Sequence, residues 1–125
     1  HERTMILAYH RINPWYPHDA LTVHPDMLRR QIEYLLAKQY LPTSLDCYLT
    51  SSHGAQKNRG RSFVVTFDDG YADNLFFALP TLRELGVQPL IFLSVHYIGT
   101  DKLFPRYCDR IKDRFLMWSS VPDDL

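Results

Sequence analysis

The run Phe63-Val64-Val65-Thr66-Phe67 is β-branched and aromatic, and it lacks the alternation of a half-exposed strand. It predicts a strand covered on both faces. Two further apolar runs, Met5-Ile6-Leu7-Ala8-Tyr9 and Pro89 to Val95, predict companions. Between the first two, Pro25-Asp26 opens an amphipathic pattern in which Leu28, Ile32, Leu35 and Leu36 recur among Arg29, Arg30, Glu33 and Lys38. That spacing predicts a helix from about Pro25 to Gln39. After Asp73, the residues Leu75, Leu79, Leu82 and Leu85 mark a second helical face, closed by Gly86 and kinked or divided by Pro80. Asp73 with Asn74 reads as its cap. Strand, helix, strand, helix, strand in this order predicts an α/β fold of parallel strands with flanking helices.

The remaining stretches are less constrained. Arg11-Ile12-Asn13-Pro14 carries turn chemistry, Tyr40-Leu41-Pro42 suits a short extended piece, and Ser44 suits the cap of a brief helical turn through Leu49. Thr50 to Arg61 reads as a surface loop, and Pro105 to Phe115 as a further helix. At 125 residues and 46% hydrophobic, the chain is long and apolar enough for one ordinary domain with a core. Lys plus Arg and Asp plus Glu both number 14, so no net field draws it to nucleic acid or to an anionic membrane. Its longest apolar stretch, Leu90 to Val95, is far short of the roughly 20 residues of a membrane span. The chain opens His1-Glu2-Arg3 without Met, so any secretion signal is out of view. Cys47 and Cys108 have neither Cys-x-x-Cys spacing nor neighbouring His, and read as packed or idle thiols.

In parallel α/β folds the ligand site lies at the carboxyl ends of the strands. Here those ends carry His10, the pair Asp68-Asp69, and His96. Two close carboxylates repel, so such a pair shares a proton or sits beside a cation. A divalent metal is the economical solution: one Asp ligates it and the other accepts a proton from metal-bound water. Gly70 permits the positive φ that turns both side chains toward one cleft, with Tyr71 as its wall. The plain alternative is that Asp-Asp-Gly is turn vocabulary and nothing more. His10 and His96 likewise suit either functional contact or a hydrogen-bonded rim. His18, His24 and His53 read as loop residues, and Trp15-Tyr16 suits either a sugar-binding groove or the pinning of a loop.

Thr66-Phe67-Asp68-Asp69-Gly70 resembles the first motif of the polysaccharide deacetylases with a NodB-homology domain, the metal-dependent carbohydrate esterases. Ala8-Tyr9-His10-Arg11-Ile12 is similar to the Tyr-His-Arg opening of one branch. The similarity continues through Gln31 to Leu35, Ser44-Leu45-Asp46, Tyr71 to Asn74, Ala78-Leu79-Pro80, Leu85-Gly86, and Ile91 up to Gly99. The resemblance implies a distorted (β/α) barrel of which residues 1–125 form the amino-terminal portion, lacking the carboxyl-terminal half. It implies Asp68 as catalytic base and Asp69 as ligand of a divalent metal, usually zinc, sometimes cobalt or nickel. The reaction would be hydrolysis of N- or O-acetyl groups on an acetylated polysaccharide or oligosaccharide.

The family's second motif, His-Ser/Thr-x-x-x-His, supplies the remaining metal ligands, and nothing in this sequence fits it; the later Arg-Pro and Leu-x-His segments are missing too. The resemblance therefore implies an incomplete and inactive portion, prone to self-association through an open sheet edge. Relatives of this kind commonly act in the bacterial envelope or on exported polysaccharide, so the resemblance leans toward a place outside the cytoplasm, which the sequence itself does not fix. Two other classes stand beside this one. A noncatalytic glycan-binding or structural remnant would keep the barrel without the metal. A magnesium phosphohydrolase with Asp68 as nucleophile would need a second acidic cluster and a phosphate-gripping cation, and neither is evident.

Overall fold

A computed structural model describes residues 4–51 and 60–97. The helix expected at Pro105 to Phe115, Cys108, His53 and most of the Thr50 to Arg61 loop lie outside the described residues. Strand β1 (Thr4–Tyr9) pairs in parallel with β5 (Ser62–Phe67), in register from Thr4 opposite Ser62 to Tyr9 opposite Phe67. The other edge of β5 is shared end to end. Strand β4 (Leu41–Pro42) pairs with its first two residues and β6 (Leu90–Ile91) with its last two, both in parallel. Strand β5 is thus the centre of the sheet, and Phe63 through Phe67 are all buried, as the unbroken apolar run predicts.

Helix α1 (Pro25–Ala37) makes the first crossover. Leu28, Ile32 and Leu35 form its buried face and pack in one core with Phe63, Val65 and Phe67 of β5. Each such side chain contributes on the order of 1.5–3 kcal/mol of burial, as an upper estimate. The helix starts on His24, whose Nδ1 accepts from the Asp26 N–H at 3.1 Å, with Pro25 in the first turn where its missing donor costs nothing. His24 is therefore a cap and not merely a loop residue. At the far end Tyr40 N–H donates to Leu35 O and Gln39 N–H to Leu36 O, both 3.0 Å, with Gln39 at φ 62°. This is the two-bond Schellman ending, with glutamine in the left-handed place that usually goes to glycine. Ser44 Oγ accepts from Cys47 N–H at 3.2 Å at the start of α2 (Leu45–Ser51), on which Cys47 is exposed.

The second expected helix is divided, as Pro80 requires. A π-helical turn (Asn74–Ala78) runs into α3 (Leu79–Glu84), and Leu79 N–H reaches back five residues to Asn74 O. Proline has no N–H to give the carbonyl four residues earlier, and its ring would strike it, so the turn before it widens. Gly86 closes α3 at φ 71°, with Val87 N–H bonded to Leu82 O at 2.8 Å.

Two expectations are corrected. Arg11-Ile12 is not only a turn: it forms β2 (Arg11–Ile12), paired in parallel with β3 (Thr22–Val23) as a small second sheet. The strand expected from Pro89 to Val95 stops at Ile91. After Phe67 the partner strand turns away, so the bond from Phe92 N–H to Phe67 O at 2.8 Å is the last that β5 offers. The chain then runs to a single 3-10 turn (Val95–Tyr97).

Strand β1 keeps one edge without a strand among the described residues. Tyr9 O accepts from Asp68 N–H at 2.8 Å, so the alternation of a parallel strand turns the backbone of Ile6 and Ala8 to that open edge. Between this edge and α1 lies a groove of about 590 Å³ lined mostly by apolar side chains, among them Ile6, Met27, Tyr34 and Leu35. Ile6 is 52% exposed and Tyr34 62%. No helix among the described residues is long and apolar enough to cross a membrane.

Candidate active site

The exit of β5 is bent at once. Asp68 is tied back to β1 through its N–H, and then Asp69 at φ 75° and Gly70 at φ 70° occupy the left-handed region in succession. Glycine takes this conformation freely, and Asp is one of the few other residues that enters it at modest cost. The sequence anticipates the positive φ at Gly70 but not the one at Asp69. The double turn ends the strand and lowers the next residues into the interior, where Tyr71 and Ala72 are buried.

Asp68 and His10 leave adjacent strands side by side. His10 Nε2 stands 3.9 Å from Asp68 Oδ2, with their side chains 28% and 41% exposed. That separation is beyond a direct hydrogen bond but suits an ion pair when the imidazole is protonated, or a bridging water. Both groups are reachable from solvent, so the pair can exchange protons with an incoming molecule. Tyr71 is buried beneath the Arg11 guanidinium, which lies 5.5 Å from its ring centroid. Arg11, itself fully buried, also pairs with Asp19, and Asp19 accepts from Leu21 N–H and Thr22 Oγ1. His96 lies exposed on the 3-10 turn, and His18 is exposed in the loop before β3. Trp15 packs edge-on to Phe77 at 5.2 Å while remaining 37% exposed.

Asp73 is not a helix cap. It is already in helical conformation, makes no capping hydrogen bond and is fully buried. Its Oδ2 accepts from Ile12 N–H at 3.1 Å and from Asn13 Nδ2 at 2.8 Å, and its Oδ1 from Asn74 Nδ2 at 3.0 Å. Asn74 Nδ2 also donates to His10 O at 2.9 Å. Burial pushes the Asp73 carboxyl up to about 7, against the pull of the Asn13 amide, the Ile12 N–H and the Arg11 charge. Burial also raises the Tyr9 hydroxyl, which donates to Gln31 Oε1 at 2.7 Å, to about 12. Sequence reasoning missed the role of this dipeptide. The signal that was available is spacing: Asn74, Ala78 and Leu82 fall four apart on one buried face.

A catalytic zinc normally takes three protein ligands. Among the described residues no three His, Cys, Asp or Glu side chains gather closely enough to hold a metal ion, so His10, Asp68 and Asp69 do not make a metal site by themselves.

No protein-family model matches the chain, and no curated protein matches it. Solved structures do. The chain is similar to a de-N-acetylase from Aggregatibacter actinomycetemcomitans at 20% identity, covering 91% of this chain and 46% of that one, with a TM-score of 0.73. It is similar to IcaB from Ammonifex degensii at 22% identity, covering 82% and 42%, with a TM-score of 0.69. It is also similar to the Streptococcus pyogenes deacetylase PplD, solved in complex with acetate, at 22% identity, covering 72% and 42%, with a TM-score of 0.65. The chain thus shares the fold of the barrel-type polysaccharide deacetylases, and spans less than half the length of these solved chains.

Proposed function

We propose that these 125 residues are a portion of a glycan deacetylase, with Asp68 as the base and Asp69 as one ligand of a divalent metal, zinc before cobalt or nickel. The observation that carries this reading is the Asp68-Asp69-Gly70 turn at the exit of the central strand, with His10 beside Asp68, on a fold shared with solved deacetylases. Hydrolysis of an acetyl group requires a water to lose its proton as it attacks the carbonyl carbon. A half-exposed carboxylate can take that proton, and a neighbouring imidazole can share it. A divalent ion, where bound, acidifies water and polarises the acetyl carbonyl. The described residues do not complete a site for it. The complex of PplD with acetate supports acetyl chemistry for that protein, and by likeness for this chain.

In this reading residues 1–125 lack the carboxyl-terminal half of the domain, which would supply the second motif and the general acid. The substrate is an acetylated polysaccharide or oligosaccharide, and the protein acts outside the cytoplasm of a bacterium. The isolated 125 residues should release no measurable acetate from an acetylated chito-oligosaccharide with zinc, cobalt or nickel added. Metal-dependent release by them would overturn the incompleteness. In the protein in which these residues occur, Asp68→Asn should lower metal-dependent acetate release at least about 100-fold, within the range of general-base effects. A folded protein that binds no zinc and releases no acetate would replace this reading with a noncatalytic glycan-binding remnant.

A further inference from the structure

Asp73 and Asn74 are buried, polar and placed where the helical pattern calls for apolar residues. A carboxylate taken out of water is costly unless its lone pairs are met. Here Asp73 Oδ2 accepts from Ile12 N–H and Asn13 Nδ2, some 60 positions away in sequence, its Oδ1 accepts from Asn74 Nδ2, and Asn74 Nδ2 also donates to His10 O in that same distant segment. A cap for the helix needs none of this, since an exposed Ser would serve. The bonds bracket Arg11 on both sides and include two backbone groups, which sets the position and the rotation of the chain at His10. On the other side Asp68 N–H holds Tyr9 O, so the segment that carries the imidazole is fixed from below and from the flank. The result is the 3.9 Å approach of His10 Nε2 to Asp68 Oδ2.

We propose that Asp73 and Asn74 are positioning residues for the candidate base: by tying residues 10–13 to the start of the π-helical turn they hold the His10 imidazole beside the Asp68 carboxylate. That the tie serves deacetylation rests on the reading above; the tie itself does not. Buried Asn74 Oδ1 has no partner among the described residues. Its amide is therefore held by its two donor bonds alone, to His10 O and Asp73 Oδ1.

The test uses the protein in which these residues occur, isotope-labelled, with no metal and no substrate. The carbon-bound ring resonances of His10, assigned with His10→Gln, are recorded at one pH with Asp68 and with Asp68→Asn. The displacement between the two spectra reports how closely the ring faces the carboxylate. Repeated in Asn74→Ala, the displacement should fall at least threefold. In Leu85→Ala, a half-buried change at the end of the same helix, it should persist, because loss of packing alone leaves the tie in place. An unchanged displacement in folded Asn74→Ala overturns the proposal. Should that variant fail to fold, Asp73→Asn keeps the side-chain shape and loses a bond, and should reduce the displacement about twofold; no reduction there is equally fatal. A protein that passes this test and releases no acetate with metal and substrate added would remove the deacetylase reading and leave the tie standing.

Discussion

Replacing Asp73 by Asn should change how stability depends on pH more than it changes stability at any one pH. The folded carboxyl sits at about 7 against an ordinary 3.8, so the native state holds a proton that the unfolded chain has lost throughout that window. The sign follows: fewer protons bound in the unfolded state means that stability falls as pH rises. The favourable contribution of the buried neutral acid is complete below about pH 4 and is lost as pH climbs to about 7. At about 1.4 kcal/mol per pH unit, the interval from 3.8 to about 7 comes to about 4 kcal/mol, as an upper estimate. Urea unfolding of the natural chain and of Asp73→Asn, at pH 4, 5, 6, 7 and 8, isolates this one group, because the other titrations cancel in the difference. The natural chain should lose about 4 kcal/mol relative to the variant between pH 4 and pH 8, with nearly all of the loss before pH 7. A difference that is flat, or that grows with pH, would mean that Asn13, Ile12 and Arg11 outweigh burial and hold the carboxyl at or below its ordinary value.

Three further outcomes follow from local geometry. Gln39→Gly should stabilise the chain by about 1 kcal/mol, measured by urea unfolding, since it removes a side chain from the left-handed C′ position of α1; a loss of stability would refute that account. Gly70→Ala should cost about 1–2 kcal/mol in the same assay, because φ 70° is unfavourable for any residue with a Cβ. Ile6→Lys places a charge on the open edge of β1, and by sedimentation velocity should reduce concentration-dependent association of the natural chain. Equal association of the two would move the contact elsewhere.

What could be read from the sequence is what repeats. Phe63 to Phe67 announces a buried strand because every residue is apolar or β-branched, and α1 follows from Leu28, Ile32 and Leu35 at helical spacing. Pro80 dividing its helix is legible for the same reason, since a missing N–H acts locally. Asp73 was misread because its partners, Ile12 and Asn13, are brought near only by the pairing of β1 with β5. A cap and a buried tie are written with the same letter. The strand at β6 is legible from its apolar run, but its early end is not, for a similar reason: apolar content says that Phe92 and Leu93 can extend a strand, and the length of the partner decides whether they do. At the candidate site, the motif singles out Asp68 and Asp69 as candidates, and only the folded chain puts His10 against Asp68.

The widened turn at Asn74–Ala78 also has a consequence for chain length. It takes up one residue more than an α-helical turn, and each residue of an α-helix advances the side-chain direction by about 100°. The two ends of this segment are therefore phased separately, one to the polar tie under His10 and the other to the apolar bed that receives Leu82. Deleting a single position between Leu75 and Phe77 would yield a more regular helix on paper, and would swing one of those two faces out of its seat.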